Sequence, residues 1–201
     1  GRMAEDGLDD FNRDGSSVEM IGAEHSPGME VMTGSLGQGL SQAAGIALAR
    51  KMKREPGRVW LLMSDGEFQI GQVWEAFQFM SHYKLDNVGI YVDANRQQCD
   101  GTVESVMRID PLEERLKAFG AGAVTVDGHN VEELFNASKV EHKDKPLVII
   151  CNTDPCRDMT KLRMYGSKLH YIRIKNDFEK QELGSVLAVL PLRIPDSNAE
   201  D

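Results

Sequence analysis

Short apolar runs that alternate with stretches of helical periodicity constrain this chain more than any other feature of its sequence. The runs are Arg58–Met63 (RVWLLM), Asn87–Val92 (NVGIYV), Ala123–Val126 and Pro146–Cys151 (PLVIIC), and each is bounded by glycine, proline, aspartate or asparagine. Runs of this length between turn residues read as buried strands. Around them, helical spacing is predicted over 36–53, where Leu40, Ala44, Ile46, Ala47 and Leu48 recur, and over 71–84, where Val73, Phe77 and Met80 recur. Two further helices are predicted over 111–119, with Pro111 in the first turn, and over 131–140, opened by Asn130 as N-cap. The alternation implies βαβ units, hence a doubly wound α/β fold: a mostly parallel sheet with helices on both faces.

At 201 residues the chain is long enough for one such domain with a real core and short for two. Residues 1–24 read as a loop or helix remnant, and the pattern weakens after Asn152. The formal net charge of −9 argues against nucleic acid or an anionic membrane as main partner. No apolar run reaches the length of a membrane span, and no signal peptide opens the chain. Cys99, Cys151 and Cys156 show no C-x-x-C spacing, which points to ordinary thiols in a reducing, cytoplasmic setting.

Ligands of doubly wound sheets bind beyond the carboxyl ends of the strands. The segments that follow the strands are Ser64–Gly71, Asp93–Gly101, Asp127–His129 and Asn152–Gly166. Asp65-Gly66 and Asn95 lie thirty positions apart, one βαβ unit. Their side chains should emerge at one sheet edge, on neighbouring or nearly neighbouring strands. A carboxylate and an amide oxygen are hard ligands suited to Mg²⁺, whose coordination is usually completed by water and phosphate. Gly66, without a Cβ, leaves its amide open to a phosphate oxygen. An Asp-Gly turn alone is weak evidence for any of this. GSLGQG lacks both the G-x-G-x-x-G spacing and a preceding strand, so a dinucleotide site is rejected.

The longer string from Ser64 to Gly101 (SDGEFQIGQVWEAFQFMSHYKLDNVGIYVDANRQQCDG) resembles the thiamine-diphosphate signature, which opens Gly-Asp-Gly and closes near an asparagine about thirty residues later. GQVWEAFQFMSHYKLDN and the D-x-N-x-x-Q-x-D-G that follows are similar to transketolases, as are HSPGMEVMTGSLGQGLSQAAGIALA upstream and VDGHNVEEL (Val126–Leu134) downstream. The resemblance covers roughly 25–152 and leaves 153–201 divergent. It implies the diphosphate-binding domain of a transketolase. On that resemblance Asp65 and Asn95 would ligate Mg²⁺ (or Ca²⁺) through side-chain oxygens and Gln97 through its carbonyl. Gly66, with Glu67 beside it in the turn, would face the diphosphate. Gly34, Ser35 and Leu36 would line the cofactor, His25 would reach substrate hydroxyls, and Glu75 would sit at a subunit interface. His170 would stand near diphosphate and substrate.

The resemblance further implies that the glutamate activating the cofactor's aminopyrimidine comes from a second, pyrimidine-binding polypeptide, in a heterotetramer that moves a two-carbon ketol unit between sugar phosphates. Family members carry a further upstream segment, so a chain cut short at its N-terminus is expected. Three departures stand out: Ser64 replaces the first signature glycine, Ile70 stands where the family has glutamate, and Asn152–Gly166 lacks the usual glycine-rich loop. They keep two alternatives open: another thiamine-diphosphate enzyme (a deoxyxylulose-phosphate synthase or an oxo-acid dehydrogenase component), or a non-catalytic partner domain.

Overall fold

The computed structural model describes residues 5–22, 25–29 and 31–187. A short 3-10 helix, Glu5–Asp10, lies near the start. Then α1 (Gln38–Met52) leads into β1 (Val59–Ser64), and α2 (Gly71–His82) into β2 (Val88–Ala94). A hairpin of β3 (Gln97–Gln98) and β4 (Gly101–Thr102) and the single-turn α3 (Val103–Val106) follow. The chain continues through α4 (Leu112–Ala118), β5 (Gly122–Asp127), α5 (Val131–Ala137), β6 (Leu147–Asn152) and α6 (Asp177–Leu187). The four long strands form one parallel sheet in the order β1-β2-β6-β5.

Strand periodicity divides the core into two layers, since successive side chains point to opposite faces. On one face Met63, Ile90, Val92, Val148 and Ile150 meet Leu40, Ala44 and Ala47 of α1, Val73, Phe77 and Met80 of α2, and Leu112 and Leu116 of α4. The alanines let α1 lie close to the sheet. On the other face Leu147, Ile149 and Cys151 meet Ala137, with Tyr91, Val124, Val126 and Leu134 packed around them. Helices therefore cover both faces, as expected.

The second layer stops short of β1. Trp60 and Leu62 point to that side and remain 47% and 74% exposed. The sequence reading of RVWLLM as a buried strand is thus corrected to a strand with one buried face. Its inward residue Met63 is covered by the helices, whereas α5 packs on β5 and β6. Trp60 makes up part of the cover itself: its ring stacks on Tyr91 at 5.4 Å, beneath the Arg58 guanidinium.

Two helix ends depart from the periodicity. Pro111 is extended (ψ 110°) and serves as N-cap, so α4 starts at Leu112. Asn130 does cap α5, its side-chain oxygen accepting from the Glu132 and Glu133 amides at 3.1 and 3.2 Å, but the helix ends at Ala137 rather than Val140. Phe77→Ala, which empties a fully buried site, is expected to destabilise the chain by about 3–5 kcal/mol. Phe135→Ala on exposed α5 surface should change stability by no more than about 0.5 kcal/mol. Urea unfolding midpoints measure both, and equal shifts would contradict the core assignment.

Candidate functional site

Parallel register brings the carboxyl ends of the strands to one edge. Ser64 is level with Asp93, Ala94 with Asn152, and Asn152 with Asp127. The polypeptide then turns at each tip, and these turns carry the candidate residues. After β1 the chain enters a 3-10 turn, Asp65–Gln69; after β2 it enters the β3–β4 hairpin. The hairpin lies against that turn, so closely that a Cβ on Gly66 would come within 3.2 Å of the Gln98 Cβ.

Asp65 is the pivot. The residue is 2% exposed. Oδ2 accepts the Arg96 amide at 2.7 Å, and Oδ1 is buried with no hydrogen-bond partner among the described residues. Burial pushes the carboxyl up to about 6, against the opposing pull of the Arg96 amide. A buried carboxylate with one unsatisfied oxygen is costly unless a cation or donor meets it. A cavity of about 190 Å³ opens beside it, lined by Ala94, Arg96, Thr102, Arg108 and Asp110 among others.

Asn95 sits one peptide from the Asp65 contact but is turned the other way. Its Nδ2 donates to Asp93 Oδ2 at 2.8 Å, and its Oδ1 accepts the Gln97 amide at 2.8 Å. It lines a wider hollow of about 420 Å³ on the opposite face of the strand tips, with Asp93, His129 and Asp154. Asp65 and Asn95 thus come to adjacent tips as the thirty-residue spacing predicts, with their side chains directed to different sides. Gln97 opens β3, and its side-chain Oε1 is also buried and unpartnered among the described residues. Asp93 was not among the sequence candidates, although the Asp-x-Asn spacing carried the signal. It holds Asn95 and also accepts from Thr153 Oγ1 after β6.

Glu67 is part-buried in the 3-10 turn. One of its oxygens accepts the Ser64 amide at 3.0 Å and the other the Gly37 amide at 2.7 Å. Gly37 is the N-cap of α1, held at φ 80°, a left-handed conformation that favours glycine. Gly34, Ser35 and Leu36 precede it and are exposed, Leu36 by 54%. Ser64, the replacement for the first signature glycine, is extended (φ −88°, ψ 156°), so no glycine is needed there. Ile70 is half-buried, and a Cβ on Gly37 would come within 3.1 Å of it.

The remaining candidates lie further out. Exposed His25 meets Glu19 Oε1 through Nε2 at 2.6 Å. Glu75 is exposed on the first turns of α2. His170 belongs to a 3-10 turn, Leu169–Tyr171, that packs beside β3. His129 is a structural residue: its Nε2 accepts the Asp154 amide at 2.8 Å and ties the β5 tip to the segment after β6. That segment is further held by the Arg163–Asp154 pair.

Comparison with known proteins gives one consistent result. The profile described as transketolase, thiamine diphosphate binding domain, matches residues 8–157. The uncharacterised transketolase family protein y4mO of Sinorhizobium fredii is 35% identical over 94% of this chain and 67% of its own. The 6-deoxy-6-sulfo-D-fructose transketolase subunit SqwG of a Clostridium species is 36% identical, over 73% of this chain and 54% of its own. An apulose-4-phosphate transketolase subunit of Phocaeicola vulgatus is 32% identical, over 77% and 56%. The chain therefore spans little more than half the length of these two named subunits. Transketolase from Campylobacter jejuni superposes with a TM-score of 0.71 over 91% of this chain and 33% of its own, at 23% identity, which speaks for the fold. Among the described residues no helix is long and apolar enough to cross a membrane.

Asp65 sets a pH dependence. Its carboxyl titrates near 3.8 when unperturbed and near 6 in the folded chain. A raised folded value means the neutral form is favoured by folding. Its contribution is complete below about pH 4 and lost as pH rises through about 6. Asp65→Asn is therefore expected to be more stable than the parent above pH 6 by roughly 1–3 kcal/mol, the two converging toward pH 4. Thermal unfolding of the metal-free proteins from pH 4 to 8 measures this, and parallel curves would refute it.

Proposed function

Because the chain belongs to the transketolase family through its thiamine-diphosphate-binding domain, we propose that it is the diphosphate- and metal-binding subunit of an enzyme that transfers a two-carbon ketol unit between sugar phosphates. The observation that carries the metal side of this reading is the buried Asp65 Oδ1, without a partner among the described residues at the tip of β1, beside the Oδ2 that accepts the amide of Arg96 between Asn95 and Gln97. Asp65, Asn95 and the Gln97 carbonyl are hard oxygen donors of the kind Mg²⁺ prefers, and the Asn95 side chain, directed to the other side of the strand tips, would have to swing toward Asp65 to share a cation with it. In doing so the Asn95 oxygen would give up its bond to the Gln97 amide. The Arg96 amide keeps the carboxylate aimed, and the burial that raises its pKa makes a cation its natural counterpart.

Bound thiamine diphosphate supplies carbanion stabilisation next to a ketose carbonyl, and the protein supplies position and electrostatics. Gly66, at the mouth of the same turn, serves the diphosphate. Exposed Gly34, Ser35 and Leu36 serve the cofactor's ring end. His25 and His170 approach the substrate, and Glu75 meets the partner polypeptide. That partner carries the pyrimidine-binding domain. Two relatives named as transketolase subunits, each matched over about half its length, support a division of the enzyme between polypeptides.

Calorimetry on the chain together with its pyrimidine-binding partner tests the reading. Thiamine diphosphate is expected to bind only when Mg²⁺ is present, and a chelator should abolish binding. Asp65→Ala should lower ketol transfer by about a hundredfold or more while assembly persists, because even residues behind a metal ligand commonly cost 10- to 100-fold. Cofactor binding indifferent to Mg²⁺, or an active Asp65→Ala enzyme, would overturn it.

A further inference from the structure

The two segments assigned to the cofactor in this reading, the Gly34–Gly37 loop and the Asp65–Gly66 turn, belong to different elements some thirty residues apart. Something must hold them in register. Among the described residues, the other hydrogen bonds of the loop and its approach are local: the Gln38 amide to the Ser35 carbonyl at 3.1 Å, and Gln42 Nε2 to the Met32 carbonyl at 3.1 Å. Glu67 supplies the cross-link. Through one oxygen it reaches back to Ser64, where it completes the carboxylate half of a capping box over its own turn. Through the other it takes the amide of Gly37 at the N-terminus of the fifteen-residue α1. Both bonds are charge-assisted, and the second also places a negative charge at the positive end of the helix dipole.

We infer that Glu67 is a positioning residue for the cofactor site rather than a contact to the cofactor, locking the loop before α1 to the metal-bearing turn after β1. The assignment rests on the proposed function, yet the carboxylate is already committed to two backbone amides, so a direct role toward an anionic diphosphate is not available to it. Glutamine at this position keeps the length of the side chain but offers one acceptor oxygen and turns an NH₂ group toward a second N–H. It retains one bond at most. Alanine retains neither.

Two measurements on the chain complexed with its pyrimidine-binding partner test the inference. Amide hydrogen exchange reads the lock directly. Exchange at Gly37 is expected to accelerate in Glu67→Ala and Glu67→Gln, while mid-α1 amides such as that of Ala47 keep the parent's protection. Titration with thiamine diphosphate at saturating Mg²⁺ reads the consequence. Affinity should fall by about tenfold in Glu67→Ala and by less in Glu67→Gln, in proportion to the hydrogen bonds lost. A merely structural role would lower protection throughout α1 and leave the affinity of the folded fraction unchanged, and that result overturns the inference, as does unaltered exchange at Gly37. Should Glu67→Ala fail to fold, Glu67→Gln decides. If the parent complex binds no thiamine diphosphate, the functional reading fails, while the exchange measurement still judges the lock.

Discussion

A buried carboxylate that grips a backbone amide across two neighbouring strand tips organises the sheet edge on which the candidate residues stand. Asp65 Oδ2 and the Arg96 amide, 2.7 Å apart, join the end of β1 to the turn after β2. The contact depends on parallel register: Ser64 must stand level with Asp93 for the next residues to meet. It also has a cost, since the carboxylate is removed from water and its second oxygen has no partner among the described residues. Charge that is expensive to bury and incompletely satisfied marks a candidate functional position.

Around that contact the chain uses ordinary secondary-structure devices for positioning. The hairpin after β2 is pressed onto the 3-10 turn where Gly66 has no side chain. Asp93 orients Asn95 and engages Thr153, so the β2 tip is tied to the segment after β6. Glu67 satisfies two backbone amides that belong to different elements. Such bonds hold loops by their directionality and by the penalty of leaving a donor unmet, more than by net energy. The replacement of the signature's first glycine by Ser64 fits this picture, because the backbone there is extended and Ser64 starts the turn that Glu67 closes.

The two faces of the sheet are unequally covered. One carries α1, α2 and α4 over a continuous apolar layer; the other is covered by α5 at β5 and β6, with Trp60 and Leu62 of β1 left exposed. Helical periodicity shows that a segment has an apolar side but not how far along a sheet its cover extends. The run RVWLLM consequently reads as a buried strand when only one of its faces is covered.

Fold class, the order of the long elements and the placement of Asp65-Gly66 and Asn95 at one edge were all legible in the sequence. Alternating periodicities specify βαβ units, and βαβ units bring strand ends together whatever the details of packing. The match of the Ser64–Gly101 string likewise depends on linear order alone. The directions of side chains were not legible. Asn95 turns toward the Asp93 carboxylate and the Gln97 amide, and Glu67 reaches Gly37 thirty positions upstream, because the nearest unmet hydrogen-bond partners lie there once the tips have assembled. Local spacing cannot show which amides will be left without partners in the folded chain. The Ser-x-x-Glu pattern at Ser64–Glu67 did carry half of that information, namely the bond within the turn; the half that crosses to α1 exists only in three dimensions.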